Sequence, residues 1–125
     1  MPENREYVTC AGERGSINIS EDVIALIAAG ETLAVEGVAS LVSSPGKEII
    51  DIIGRKGAPR GVKINIDGKS VAIDVFIMIE LGRSVNDTGG AVQRAVKEAV
   101  ESSVGLEATV VNVHVCGISL KKHKQ

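Results

Sequence analysis

A single α/β (α+β) domain on a mixed β-sheet is the fold class this sequence predicts, and three observations predict it. The chain has 125 residues, enough for one hydrophobic core and too few for two comfortable ones. Hydrophobic residues make up 44% of it but aromatics only 2%, so the core must be built from Val, Ile, Leu and Ala. Finally, the apolar period switches between two and 3.6 along the chain in the order β-α-β-(short α)-β-β-α-β. Two strand-helix-strand units with right-handed crossovers place both long helices on one face of the sheet and leave the other face only partly covered.

Residues 1–14 are polar, mixed in charge and without sustained periodicity, and read as a flexible lead-in. Ser16-Ile17-Asn18-Ile19 alternates as a half-buried strand does, and Ser20-Glu21-Asp22 offers a helix N-cap followed by two first-turn carboxylates. Val23, Ile24, Ile27, Ala28 and Ala34 then recur at helical spacing up to Gly37. Val38 to Ser43 reads as a strand, Pro45-Gly46 as a break, and Glu48 to Ile53 as a short helix stopped by Gly54. Val62, Ile64 and Ile66 alternate with polar residues before Asp67-Gly68, a pair favoured in tight hairpins. From Val71 to Leu81 every odd position is aliphatic, so one face of this strand is core. Val85, Val92, Val96, Ala99 and Val100 line one side of a second long helix that Gly105 ends. In the last strand, Thr109 to Gly117, Val111, Val113 and Val115 point inward and Val110, Asn112, His114 and Cys116 outward. The domain is expected over 15–118, with a basic tail over 119–125 carrying Lys121, Lys122 and Lys124.

A formal net charge of -2 gives no general attraction to nucleic acid or to an anionic membrane. The start of the chain has no apolar stretch of signal-peptide type and no run is long enough to span a bilayer, so direct membrane insertion is not expected. Cys10 and Cys116 lack metal-ligand or disulfide spacing, which fits a reducing cytoplasm; no metal and no cofactor is expected. No catalytic residues are assigned either. Asp74 and Glu80 share a strand face about 20 Å apart, too far for a carboxylate pair, and no acidic neighbour in sequence orients His114. The glycines of Thr88-Gly89-Gly90 lack the rest of any phosphate-binding fingerprint.

Two surfaces remain as candidates. Phe76 and Met78, with Val110, Asn112 and His114, point away from the aliphatic core and, if their strands are neighbours, form an apolar patch with a polar border, either open to a partner or covered by Glu48 to Ile53 folding back. Arg55, Lys56, Arg60 and Lys63 form a local basic loop suited to an acidic or phosphate-bearing partner. Gly54-Arg55-Lys56-Gly57 also matches the backbone-clamping loop of a KH domain, the alternative reading, although the chain then enters a strand instead of a second helix.

The stretches Gly15 to Ile24, Val35-Glu36-Gly37-Val38, Gly54-Arg55-Lys56, Gly61-Val62-Lys63 and Val111 to Val115 resemble, in order and spacing, the alkaline-shock, Gls-type envelope stress response family of Gram-positive bacteria. The resemblance spans Gly15 to Gly117. It implies a non-enzymatic cytoplasmic protein that self-associates and gathers near the inner face of the cell membrane through a membrane-anchored protein partner. Glu36, Arg55, Lys56, Asn112 and His114 are the family-like positions open to a binding role. Leu81, where an aromatic is common, and Asn86 to Gly90, in place of a proline-started helix entrance, depart from the family pattern.

Overall fold

The computed structural model describes residues 7–42, 61–68, 70–106 and 108–120. The segment read as a short helix (Glu48 to Ile53), the Gly54 to Gly57 loop and Arg55, Lys56 and Arg60 lie outside them, as does the tail from Lys121 onward.

The chain begins with a strand that the local pattern does not announce. β1 (Tyr7–Gly12) pairs antiparallel with β2 (Gly15–Ser20) in a hairpin closed by Gly12 opposite Gly15. Only Val8 and Cys10 give β1 an apolar side. Its order comes from the backbone ladder to β2 and from Val8, which is fully buried in the common core. β2 therefore belongs to this separate two-stranded sheet and not, as the strand-helix-strand reading expected, to the main one.

α1 (Glu21–Ala34) follows directly, with Ser20 extended at the N-cap position but making no side-chain cap bond. It buries Ile24, Ala25, Ala28, Ala29 and Thr32, whereas Val23 and Ala34 face solvent and Ile27 is half-buried. The apolar spacing marks the helix, but of the residues that carry it only Ile24 and Ala28 are buried. α1 is apolar nearly all round, so hydrophobicity alone does not select a face, and the small Ala side is the one that fits closely onto the core.

The main sheet is organised by β5 (Ser70–Glu80). On one edge it pairs antiparallel with β4 (Val62–Asp67), Val62 opposite Val75, and farther along with β3 (Val38–Leu41), Val38 opposite Ile79. β3 and β4 lie end to end, since Phe76 N–H donates to the Gly61 carbonyl while its own carbonyl accepts from Val42 N–H. The approach is so close that a Cβ on Gly61, which has φ +84°, would stand 2.7 Å from the Val42 carbonyl oxygen. On its other edge β5 runs parallel to β6 (Ala108–Ser119), reached through α2 (Val85–Val104).

The departures in sequence that fall at the start of α2 do not prevent a capped entrance. Ser84 Oγ accepts from Asp87 N–H at 3.2 Å, and Gly105 closes the far end in the left-handed conformation. Thr88, Val92, Val96, Val100 and Val104 form a buried line at four-residue spacing, while Val85 stays exposed in the first turn. Both helices lie on one face of the sheet and touch each other. Under them Val71, Ile73, Val75, Ile77 and Ile79 are shut from solvent; Leu81, one residue past the strand, is not. In β6 Val111 is buried and Val113 half-buried, but Val115 is exposed, because the helix layer stops short of that end of the edge strand.

Three substitutions test this packing by urea denaturation. Ile77→Ala is expected to lower the unfolding free energy by about 2–5 kcal/mol through a cavity beneath the helices. Thr32→Val should raise it by about 1 kcal/mol, since the Thr32 hydroxyl is buried without a hydrogen-bond partner. Gly89→Ala should raise it by about 0.5–1 kcal/mol, as an added Cβ in this helical turn meets nothing within 4 Å.

Candidate interaction face on the open side of the sheet

The alternation that sends odd residues of β5 under the helices sends Ala72, Asp74, Phe76, Met78 and Glu80 to the opposite face, where each is half-buried. The parallel register with β6 sets Ala72 beside Val110, Asp74 beside Asn112, Phe76 beside His114 and Met78 beside Gly117. From β4, Lys63 and Asn65 join the same face opposite Asp74 and Ala72. Among the described residues no helix covers this surface.

Phe76 is its centre. The His114 ring stacks on it with centroids 4.5 Å apart and planes 13° from parallel, and the Lys63 ammonium stands 5.8 Å from its centroid. Contacts of these kinds contribute about 0.5–1.5 kcal/mol for stacked rings and about 0.5–1 kcal/mol for an exposed cation over a ring. His114 Nε2 lies 3.0 Å from Asp74 Oδ1. The imidazole therefore lies face to face with the Phe76 ring while its Nε2 meets the Asp74 carboxylate. Met78 extends over β6, where a Cβ on Gly117 would stand 3.0 Å from its Sδ.

The proposed site residues are brought together only in part. Phe76, Met78 and His114 are contiguous, while Val110 is set apart from them by the polar pair Asp74 and Asn112. Lys63, grouped in sequence with the basic loop, belongs to the Phe76 cluster. Asp74 is the residue that reading along the chain missed as a partner of His114. It lies 40 positions away, and only the parallel β5–β6 register brings the two side chains together. Alternation placed both residues on an outward face; the missing signal was which strands are neighbours.

Among the described residues the arrangement is an open patch rather than an enclosed site. The thiol of Cys116 lies at the register shift in β6 and turns toward the His114 carbonyl at 3.7 Å. Cys10, in the other sheet, is directed at the Val104 carbonyl. Among the described residues no three His, Cys, Asp or Glu side chains gather as a metal site would require, and no helix is long and apolar enough to cross a membrane.

Comparison with known proteins matches residues 10–120 to the family of alkaline-shock protein 23, described as having a cell envelope-related function. The chain is 29% identical to the uncharacterized protein YloU of Bacillus subtilis (strain 168), covering 83% of this chain and 88% of the relative. It is 33% identical to the uncharacterized protein Spy1535 of Streptococcus pyogenes serotype M6 (strain ATCC BAA-946 / MGAS10394), covering 86% and 82%. Among solved structures, a triply substituted MamM CTD superposes with a TM-score of 0.48 at 12% identity, over 78% of this chain and 94% of that one, too loosely to support an inference.

The stacked pair gives a direct spectroscopic prediction. The imidazole proton resonances of His114 are expected to lie upfield of random-coil positions through the Phe76 ring current, and to return toward them in Phe76→Leu, as read in aromatic carbon–proton NMR spectra.

Proposed function

The chain belongs to the alkaline-shock protein 23 family, of cell envelope-related function, and on that premise we propose that it is a non-enzymatic adaptor that self-associates through its open sheet face and docks on a membrane-anchored partner. The observation that carries this reading is Phe76, the one phenylalanine of the chain, stacked on His114 and flanked by Lys63 on a face that no helix covers among the described residues. Rigid aromatic anchors within a polar surround dominate the energetics of protein interfaces, because they bring much contact area at little cost in side-chain freedom. Met78 extends the apolar centre; Asp74, Asn112, His114 and Lys63 supply the border.

Sheet faces pack on one another about 10 Å apart with interdigitating side chains, so a second copy laid on this face buries Phe76 and Met78 from both sides. The envelope-related character of the family supports a cytoplasmic adaptor near the membrane whose partner holds the anchor.

Light scattering across a concentration series tests the self-association. The wild-type mass is expected to rise above that of the monomer with concentration, and Phe76→Asp to remain monomeric with an unchanged circular dichroism spectrum. A wild-type protein that stays monomeric throughout rejects the reading.

A further inference from the structure

The two helices share one layer but meet solvent in opposite ways. α2 turns Arg94, Lys97 and Glu98 outward, and Lys97 pairs with Glu101 one turn on at 3.1 Å. That is the ordinary division of a surface helix. On the outer side of α1, by contrast, stand Val23, Leu26, Gly30 and Leu33, spaced three, four and three residues apart. Val23, Leu26 and Leu33 are 44%, 54% and 52% exposed, and they lie opposite the buried Ala25, Ala28 and Thr32. A single exposed leucine is commonplace, whereas a continuous apolar stripe three turns long marks a contact surface. At its middle, Gly30 has nothing within 4 Å of an added Cβ, so another backbone can approach the helix closely there.

Charge identifies the occupant. α1 carries no Lys or Arg, and toward its C-terminal end it presents Glu31, with Glu36 just beyond. The last turn of α1 contains no basic residue to complement the negative end of its dipole. Beyond it the Glu36 side chain is 87% exposed, with the Arg83 guanidinium only at 4.0 Å. A second α1 laid along the stripe would bring like charges together, and an anionic lipid surface would be repelled.

We infer that the outer stripe of α1 docks a cationic amphipathic helix of another protein, its apolar side seated on Leu26 and Leu33 and its Lys or Arg side chains beside Glu31, Glu36 and the C-terminal end of α1. This surface is distinct from the sheet face around Phe76 and does not depend on self-association there.

Fluorescence anisotropy of the full chain with a labelled Leu/Lys helical peptide tests it, the peptide being about 18 residues long so that it can form a helix. Saturable binding is expected, weakened about tenfold or more by Leu26→Asp or Leu33→Asp, weakened several-fold by Glu31→Lys, and unchanged by Phe76→Asp. A Leu/Glu peptide of the same pattern should not bind. Leu26→Asp separates docking from bulk attraction, because its added negative charge tightens a purely electrostatic contact and weakens one seated on the stripe. No binding of the Leu/Lys peptide, or binding unchanged or tightened by Leu26→Asp, overturns the proposal. So does loss of self-association in Leu26→Asp, which assigns the stripe to a second copy, or loss of binding to phosphatidylglycerol vesicles in that variant, which assigns it to lipid.

Discussion

The main sheet exists because β5 can be apolar on one face, polar and aromatic on the other, and hydrogen-bonded on both edges along its length. Val71, Ile73, Val75, Ile77 and Ile79 make its inner side continuous and dry, and both helices pack above that side. β3, β4 and β6 all take their places from this one strand. Among the described residues the buried core holds no aromatic ring. Branched aliphatics fill space in small increments, so stability comes from many close-fitting contacts along a line rather than from a few large side chains.

The same strand connects the fold to its candidate interaction face. Because successive side chains point to opposite sides, the sequence that buries Ile77 must display Phe76 and Met78. Pairing with β6 then decides what surrounds them. A one-residue slip in that pairing would remove His114 from the side of Phe76 and from the reach of Asp74. The site is thus a consequence of strand register, set on a ladder that is buried on its other face.

What was legible along the chain follows from how local each signal is. The β4–β5 hairpin, the alternation of β5, and the stop of α2 at Gly105 are each written within a few residues, and the structure contains them. The hidden features depend on distant partners. β1 becomes a strand only because β2 and the core receive it, and β2 leaves the main sheet for the same reason. The Asp74–His114 contact needs a parallel register between segments joined by a 20-residue helix. The inner side of α1 could not be read from hydrophobicity because its outer side is apolar as well. There the failed signal is informative, since a helix that gives no clear answer about which side is inside has two sides suited to contact.

That double character bears on the proposed adaptor role. With both helices on one face of the sheet, the outer stripe of α1 and the Phe76 surface lie on opposite sides of a two-layer molecule. Occupants of the two need not compete. They also call for different chemistry: the sheet face offers an aromatic centre with mixed charges at its border, which suits a copy of itself, whereas α1 offers aliphatic side chains near Glu31 and Glu36, which suits a basic partner and disfavours a copy. Copies joined through the sheet would each keep a free α1, so a partner with several basic helices, or several partners held on one surface, would bind the assembly more tightly than a single chain without any new contact.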